Sequence, residues 1–73
     1  MSGVVKVIEL VGRSEESWQK AAENAVTQAA KTLADLVGVE VVGWTAEVRD
    51  GAIAAYKANV KVAFKVRGSD DLR

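Results

Sequence analysis

The chain predicts an α+β fold of βαββ order: a three-stranded antiparallel sheet, in the order 1-3-2, packed on one helix. Three observations carry that prediction. Ala52 to Val66 alternates with period two, with Ala54, Tyr56, Ala58, Val60, Val62, Phe64 and Val66 on one side and Lys57, Asn59, Lys61 and Lys65 on the other. A helically spaced, alanine-rich stripe lies between Ser14 and Gly38. Asp50-Gly51, set between two strand-like runs, is a tight-turn signal of the hairpin type.

Taken in order, Val4 to Val11 reads as the first strand. Val5, Val7 and Val11 share one face with Glu9, and Val4, Ile8 and Leu10 share the other with Lys6. Apolar residues on both faces predict a strand covered on both sides. Gly12 and Arg13 are expected to end it. Ser14 is then the expected helix N-cap, with Glu15 and Glu16 at the positive end of the helix dipole. The stripe runs Trp18, Ala22, Ala25, Val26, Ala29, Leu33 and Leu36. Its small side chains would let a neighbour approach closely. A helix from Glu15 to Leu36, closed by Val37 and a left-handed Gly38, would be about 33 Å long. Val39 to Val48 reads as the second strand and Ala52 to Val66 as the third, with Gly43 suited to a bulge or to close packing. The polar tail, Gly68 to Arg73, is expected to fray.

The connections set the topology. Strand one runs up, the helix returns, strand two runs up and strand three runs down. Placing the third strand between the others makes every pairing antiparallel. One sheet face and both edges then stay uncovered, an aggregation hazard unless neighbouring subunits cover them.

Composition points the same way. A 73-residue chain makes one domain, and a domain so short buries only about 60% of its unfolded surface. There is no cysteine and no histidine, which removes disulfides, thiolate chemistry and the common zinc ligands together. Oligomerisation is the stabilising device that remains. The net charge is zero, so no basic excess draws nucleic acid or an anionic membrane. No apolar stretch is long enough to cross a bilayer, the N-terminus lacks the order of a signal peptide, and a cytoplasmic location is expected. Neither a catalytic base beside a serine nor a glycine-rich phosphate loop is present, so no enzyme activity is expected.

At the level of motifs, Val5-Lys6-Val7-Ile8-Glu9-Leu10-Val11-Gly12 followed by Ser14 resembles the start of the dodecins. Lys31-Thr32-Leu33 near the helix end and Val60-Lys61-Val62-Ala63-Phe64-Lys65-Val66 in the last strand are similar too. The resemblance covers nearly the whole chain. It implies a hollow homododecamer that binds riboflavin or flavin mononucleotide (FMN) between subunits and stores it without chemistry of its own. One branch of the family is described as calcium-binding. The resemblance also implies two flavin-contacting positions: a tryptophan stacked on the isoalloxazine ring, whose place falls on Gly38, and a glutamine bonded to the ring edge, whose place falls on Lys57. Gly38 offers no ring, and Lys57 donates hydrogen bonds but accepts none.

Trp44 is the natural substitute. With Asp50 and Gly51 alone in the turn, Trp44 would pair with Lys57 on the face away from the helix, beside Glu40, Val42, Ala46 and Asn59. The resemblance puts the ligand site on that face. The expected flavin site is therefore Gly38, Trp44, Lys57 and Asn59, with Trp44 as the stacking ring and Lys57 near a ring edge or phosphate. The plainer expectation is a Trp44–Lys57 contact with cation–π character, about 0.5–1 kcal/mol when exposed, or burial of Trp44 at a subunit contact. A bulge in the hairpin would break this register. Trp18 reads as core or interface packing. The acids Glu9, Glu15, Glu16, Glu23, Asp35, Glu40, Glu47 and Asp50 are scattered, so a calcium site would need carboxylates from several subunits. The lysine stripe on the third strand is expected to pair with acids such as Glu40. A flavin-free binder of calcium or another small ligand, and a purely structural cage, are the alternatives.

Overall fold

The computed structural model describes residues 4–66; the tail expected to fray lies outside the described residues. The order is β1 (Val5–Ser14), α1 (Trp18–Thr32), β2 (Leu36–Arg49) and β3 (Ala52–Lys65). The strands form one sheet in the order β1-β3-β2, with both pairings antiparallel. The helix lies over β1 and β3 and meets β2 only at its margin.

Strand β1 outruns its predicted end. Gly12, Arg13 and Ser14 continue the ladder opposite Ala58, Lys57 and Tyr56. Gly12 allows this because a side chain there would run into the backbone carbonyl of Ala21 and come within 3.0 Å of Ala25 Cβ. The alanine stripe does admit a close neighbour, and that neighbour is the backbone of the sheet itself.

The helix is shorter than predicted and starts later. Ser14 is the buried last residue of β1, and its hydroxyl accepts the Glu16 amide at 2.9 Å in a local turn. Ser17 is the N-cap instead: it is extended and accepts the Lys20 amide at 3.0 Å. No acidic residue lies in the first turn, so Glu15 and Glu16 precede the helix. Fifteen residues give a length of about 22 Å. Leu33 closes the helix in an extended conformation and donates its amide to Ala29 O at 2.9 Å. The left-handed residue that follows is Asp35, at φ 61°, not Gly38. Asp35 O accepts the Lys65 amide at 3.1 Å, which ties this turn to the end of β3.

The core is small. Ala21, Ala25 and Ala29 of α1 face Ala58, Val60 and Val62 of β3, with Ile8, Leu10, Leu33 and Leu36 packed around them. The predicted stripe was one position out at Ala21, which is completely buried, whereas Ala22 and Val26 line a groove toward β2. The only large side chains fully buried among the described residues are Val60 and Val62, each worth about 1.5–3 kcal/mol when buried.

The hairpin turn matches its signal: Asp50 at φ 54° and Gly51 at φ 80° form the left-handed pair of a type I′ turn. Arg49 pairs with Ala52 and Val48 with Ile53, as the two-residue turn predicts. Ala54 is then an extra residue in β3, and from Glu47↔Ala55 to Gly43↔Asn59 the register is shifted by one. A second bulge at Val42 restores it, so that Val41 meets Val60 and Glu40 meets Lys61. A third, at Val37, lies beside Gly38.

Candidate functional site

Because side chains alternate across a strand, the shifted stretch exposes its residues on faces opposite to those expected. Trp44 pairs with Ala58, a core residue under the helix, and not with Lys57. It therefore stands on the helix side of the sheet, as does Ala46 opposite Tyr56. The expected Trp44–Lys57 pair and the placing of Trp44 on the outer face are both corrected by the Ala54 bulge. Gly38, Lys57 and Asn59 do share the outer face, opposite Ala63, Thr45 and Gly43. The four expected site residues are thus divided three to one between the two faces.

Two hollows lie along the outer face. Glu9, Leu10, Val11, Val42, Asn59 and Val60 line one of about 300 Å³ beside the Val42 bulge. Val7, Gly38, Val39, Glu40, Lys61 and Ala63 line another of about 200 Å³. Gly38 has open space where a side chain would project. Between the hollows, Lys61 is flanked by Glu9 on β1 and Glu40 on β2, the cross-strand arrangement expected of the lysine stripe.

Toward the other end of this face, a charged cluster spans the sheet. Arg13 on β1 reaches across β3 to Glu47 on β2, donating from Nε at 3.0 Å and from Nη2 at 3.2 Å. Lys57 Nζ lies 3.9 Å from the same carboxylate, and Glu15 lies 3.9 Å from Arg13. The Arg13 hydrogen bond holds the Glu47 carboxyl below its ordinary range, helped by the charges of Arg13, Lys57 and Arg49. In return, Glu47 raises the pKa of Arg13. Lys57, expected at a ligand, is thus engaged with Glu47. Sequence reading missed this cluster because it ended β1 before Arg13; continuing the period-two pattern through Ser14 would have placed Arg13 beside Lys57.

The helix side carries the aromatic residues. Trp18 Nε1–H donates to Thr45 O at 2.7 Å, and its ring meets Tyr56 edge-on, with centroids 4.6 Å apart. Trp18 and Trp44 together line an almost wholly apolar hollow of about 320 Å³. Trp18 packs as expected, but Trp44 is 53% exposed because α1 does not extend over β2.

Among the described residues, no three acidic side chains gather into a group that could hold a metal within one subunit. No helix among them is long and apolar enough to cross a membrane.

Comparison with known proteins gives a consistent result. The family model described as Dodecin matches residues 4–67. A calcium dodecin of Mycobacterium tuberculosis is 33% identical over 64 residues, spanning 88% of this chain and 90% of the relative. The solved structure of dodecin from Streptomyces coelicolor superposes with a TM-score of 0.86 at 32% identity, over 89% of this chain and 93% of the other. That of the calcium dodecin from Mycobacterium tuberculosis, described with a novel calcium-binding site, gives 0.79 at 36% identity, over 90% and 94%.

Proposed function

The chain belongs to the dodecin family, and on that premise we propose that it is the subunit of a homododecameric, non-catalytic shell that binds and stores a small ligand, a flavin such as FMN or riboflavin being the first candidate. The observation that carries the assembly is the shape of the subunit. It measures 57 × 20 × 13 Å, with a radius of gyration of 15.1 Å, against about 11 Å for a compact domain of this length. Among the described residues the only large side chains fully buried are Val60 and Val62, while Val7, Val11, Val39, Val41 and Val42 are exposed. A subunit so extended and so apolar outside needs copies of itself around it. Light scattering on the purified protein tests this. A particle of twelve 7.8 kDa chains is expected, and a monodisperse monomer would overturn the reading.

The flavin reading draws on the family. Its test is titration of FMN with denatured and refolded protein, which strips any bound ligand. Saturable quenching of the flavin emission is the expected result, and its absence at high protein concentration removes flavin as the ligand. Because Gly38 supplies no ring, a bound flavin would have to stack on an aromatic residue elsewhere.

A second reading, calcium binding without flavin, is favoured by the likeness to calcium dodecin. Calcium takes six to eight oxygens, so carboxylates from neighbouring subunits would have to converge, with Glu9 and Glu40 on the outer face available for this. A rise in melting temperature with calcium, reversed by a chelator, would support it; identical melting in both would exclude it.

A further inference from the structure

We infer that the hollow between Trp18 and Trp44, on the helix side of the sheet, is the seat of a planar aromatic ring of the flavin class. The inference rests on the flavin reading and assigns it a place that Gly38 does not provide.

Three features point to such a ring. First, both tryptophans of the chain line this one hollow, and its lining is almost entirely apolar. At about 320 Å³ it falls at the lower end of the range for small-molecule sites, about 300–1,000 Å³. Second, the Trp18 wall is preformed within one subunit. Its indole N–H is spent on Thr45 O and its ring is braced by Tyr56. The only polar atom of that side chain is therefore occupied, and the rest of the indole is an apolar π system, which favours stacked or edge-on partners. Third, Trp44 stands in β2 opposite the fully buried Ala58 and is itself half exposed, so its ring stays accessible beside the fixed one. Among the described residues only Trp18 and Trp44 line it, and neither is charged. The hollow thus selects for the ring and makes no use of a phosphate: riboflavin and FMN should bind it alike.

The test uses the full-length refolded assembly. Riboflavin is titrated in while the emission of the two tryptophans, both within the site, is followed together with that of the flavin. Saturable quenching of both emissions is expected, with affinities for riboflavin and FMN within about threefold. Trp44→Leu, which keeps apolar bulk without an aromatic face, is expected to weaken binding about tenfold or more, the scale of a lost ring-stacking contact. Trp44→Phe is expected to stay near wild type, and light scattering should show both variants assembled. If Trp44→Leu binds riboflavin as wild type does, the ring sits elsewhere and this inference fails while flavin storage stands. If the wild type quenches neither flavin, the storage reading fails as well. If Trp44→Leu falls apart into smaller species, a second copy of the chain fills the hollow and the inference is overturned.

Discussion

The backbone of Gly12 lies against that of Ala21 so closely that the methyl group of an alanine at position 12 would overlap the Ala21 carbonyl. This contact joins the end of β1 to the first turns of α1 and brings the helix within reach of Ala58, opposite Gly12 in the ladder. Neither backbone can yield without separating helix from sheet. Gly12→Ala is therefore expected to destabilise by about 3 kcal/mol or more, at the upper end for overpacked cores. Urea denaturation at fixed protein concentration checks it, and a loss under 1 kcal/mol would show that the helix can shift outward cheaply.

The helix cap gives a sharper contrast. Ser17→Ala removes the acceptor for the Lys20 amide and is expected to cost about 1 kcal/mol. Far-UV circular dichroism should show fraying at the helix start. Ser14→Ala acts differently, because Ser14 is a buried strand residue bonded to the Glu16 amide; it should cost stability without loss of helix signal. The reverse pattern would place the cap at Ser14.

Trp18→Phe keeps a ring against Tyr56 but deletes the donor to Thr45 O. The expected loss is about 1 kcal/mol, the net value of one hydrogen bond. Thermal melting of the assembly reads it. An unchanged midpoint would mean that the bond only orients the indole.

The Arg13–Glu47 pair makes stability depend on acidity. Folding lowers the Glu47 pKa from its ordinary 4.5, chiefly through the Arg13 hydrogen bond. Its contribution is therefore fully present above that value and is lost as pH falls through the lower folded pKa. Glu47→Gln should melt below wild type at neutral pH, converge with it in acid, and show less dependence on salt. The pair lies at the surface, so the effect is expected to be small. Parallel melting curves of the two proteins at all pH values would show that the pair contributes nothing.

Gly51 at φ 80° occupies backbone space that a side chain enters only under strain. Gly51→Val is expected to cost about 1–3 kcal/mol, read as a lower midpoint in urea. A neutral result would mean that the hairpin readily adopts another turn.

Much of the fold was legible in local patterns. The period-two run of β3 put Ala58, Val60 and Val62 on one side of the sheet, and all three are buried. Asp50-Gly51 located the turn, because its two left-handed residues are demanded by the twist of the strands that it joins. The site was less legible. Lys57 and Asn59 lie on the outer face as read, but Trp44 does not, because one inserted residue, Ala54, turns a five-residue stretch of β2 over before Val42 turns it back. Ala54 lies within an unbroken alternation, so no break in pattern marks the first bulge; Gly43 hinted at the second.

The sequence by itself determined the order of elements, the antiparallel sheet, the hairpin and the need for partners, since each follows from periodicity, turn chemistry or composition along a short stretch of chain. Only the tertiary structure decided how far β1 runs, where α1 begins, which face carries Trp44, and that Arg13 meets Glu47 across β3. Those outcomes depend on how closely distant backbones approach, at Gly12 against Ala21 and at the Ala54 and Val42 bulges of the hairpin, and close approach between segments far apart in the chain leaves no periodic trace in either one.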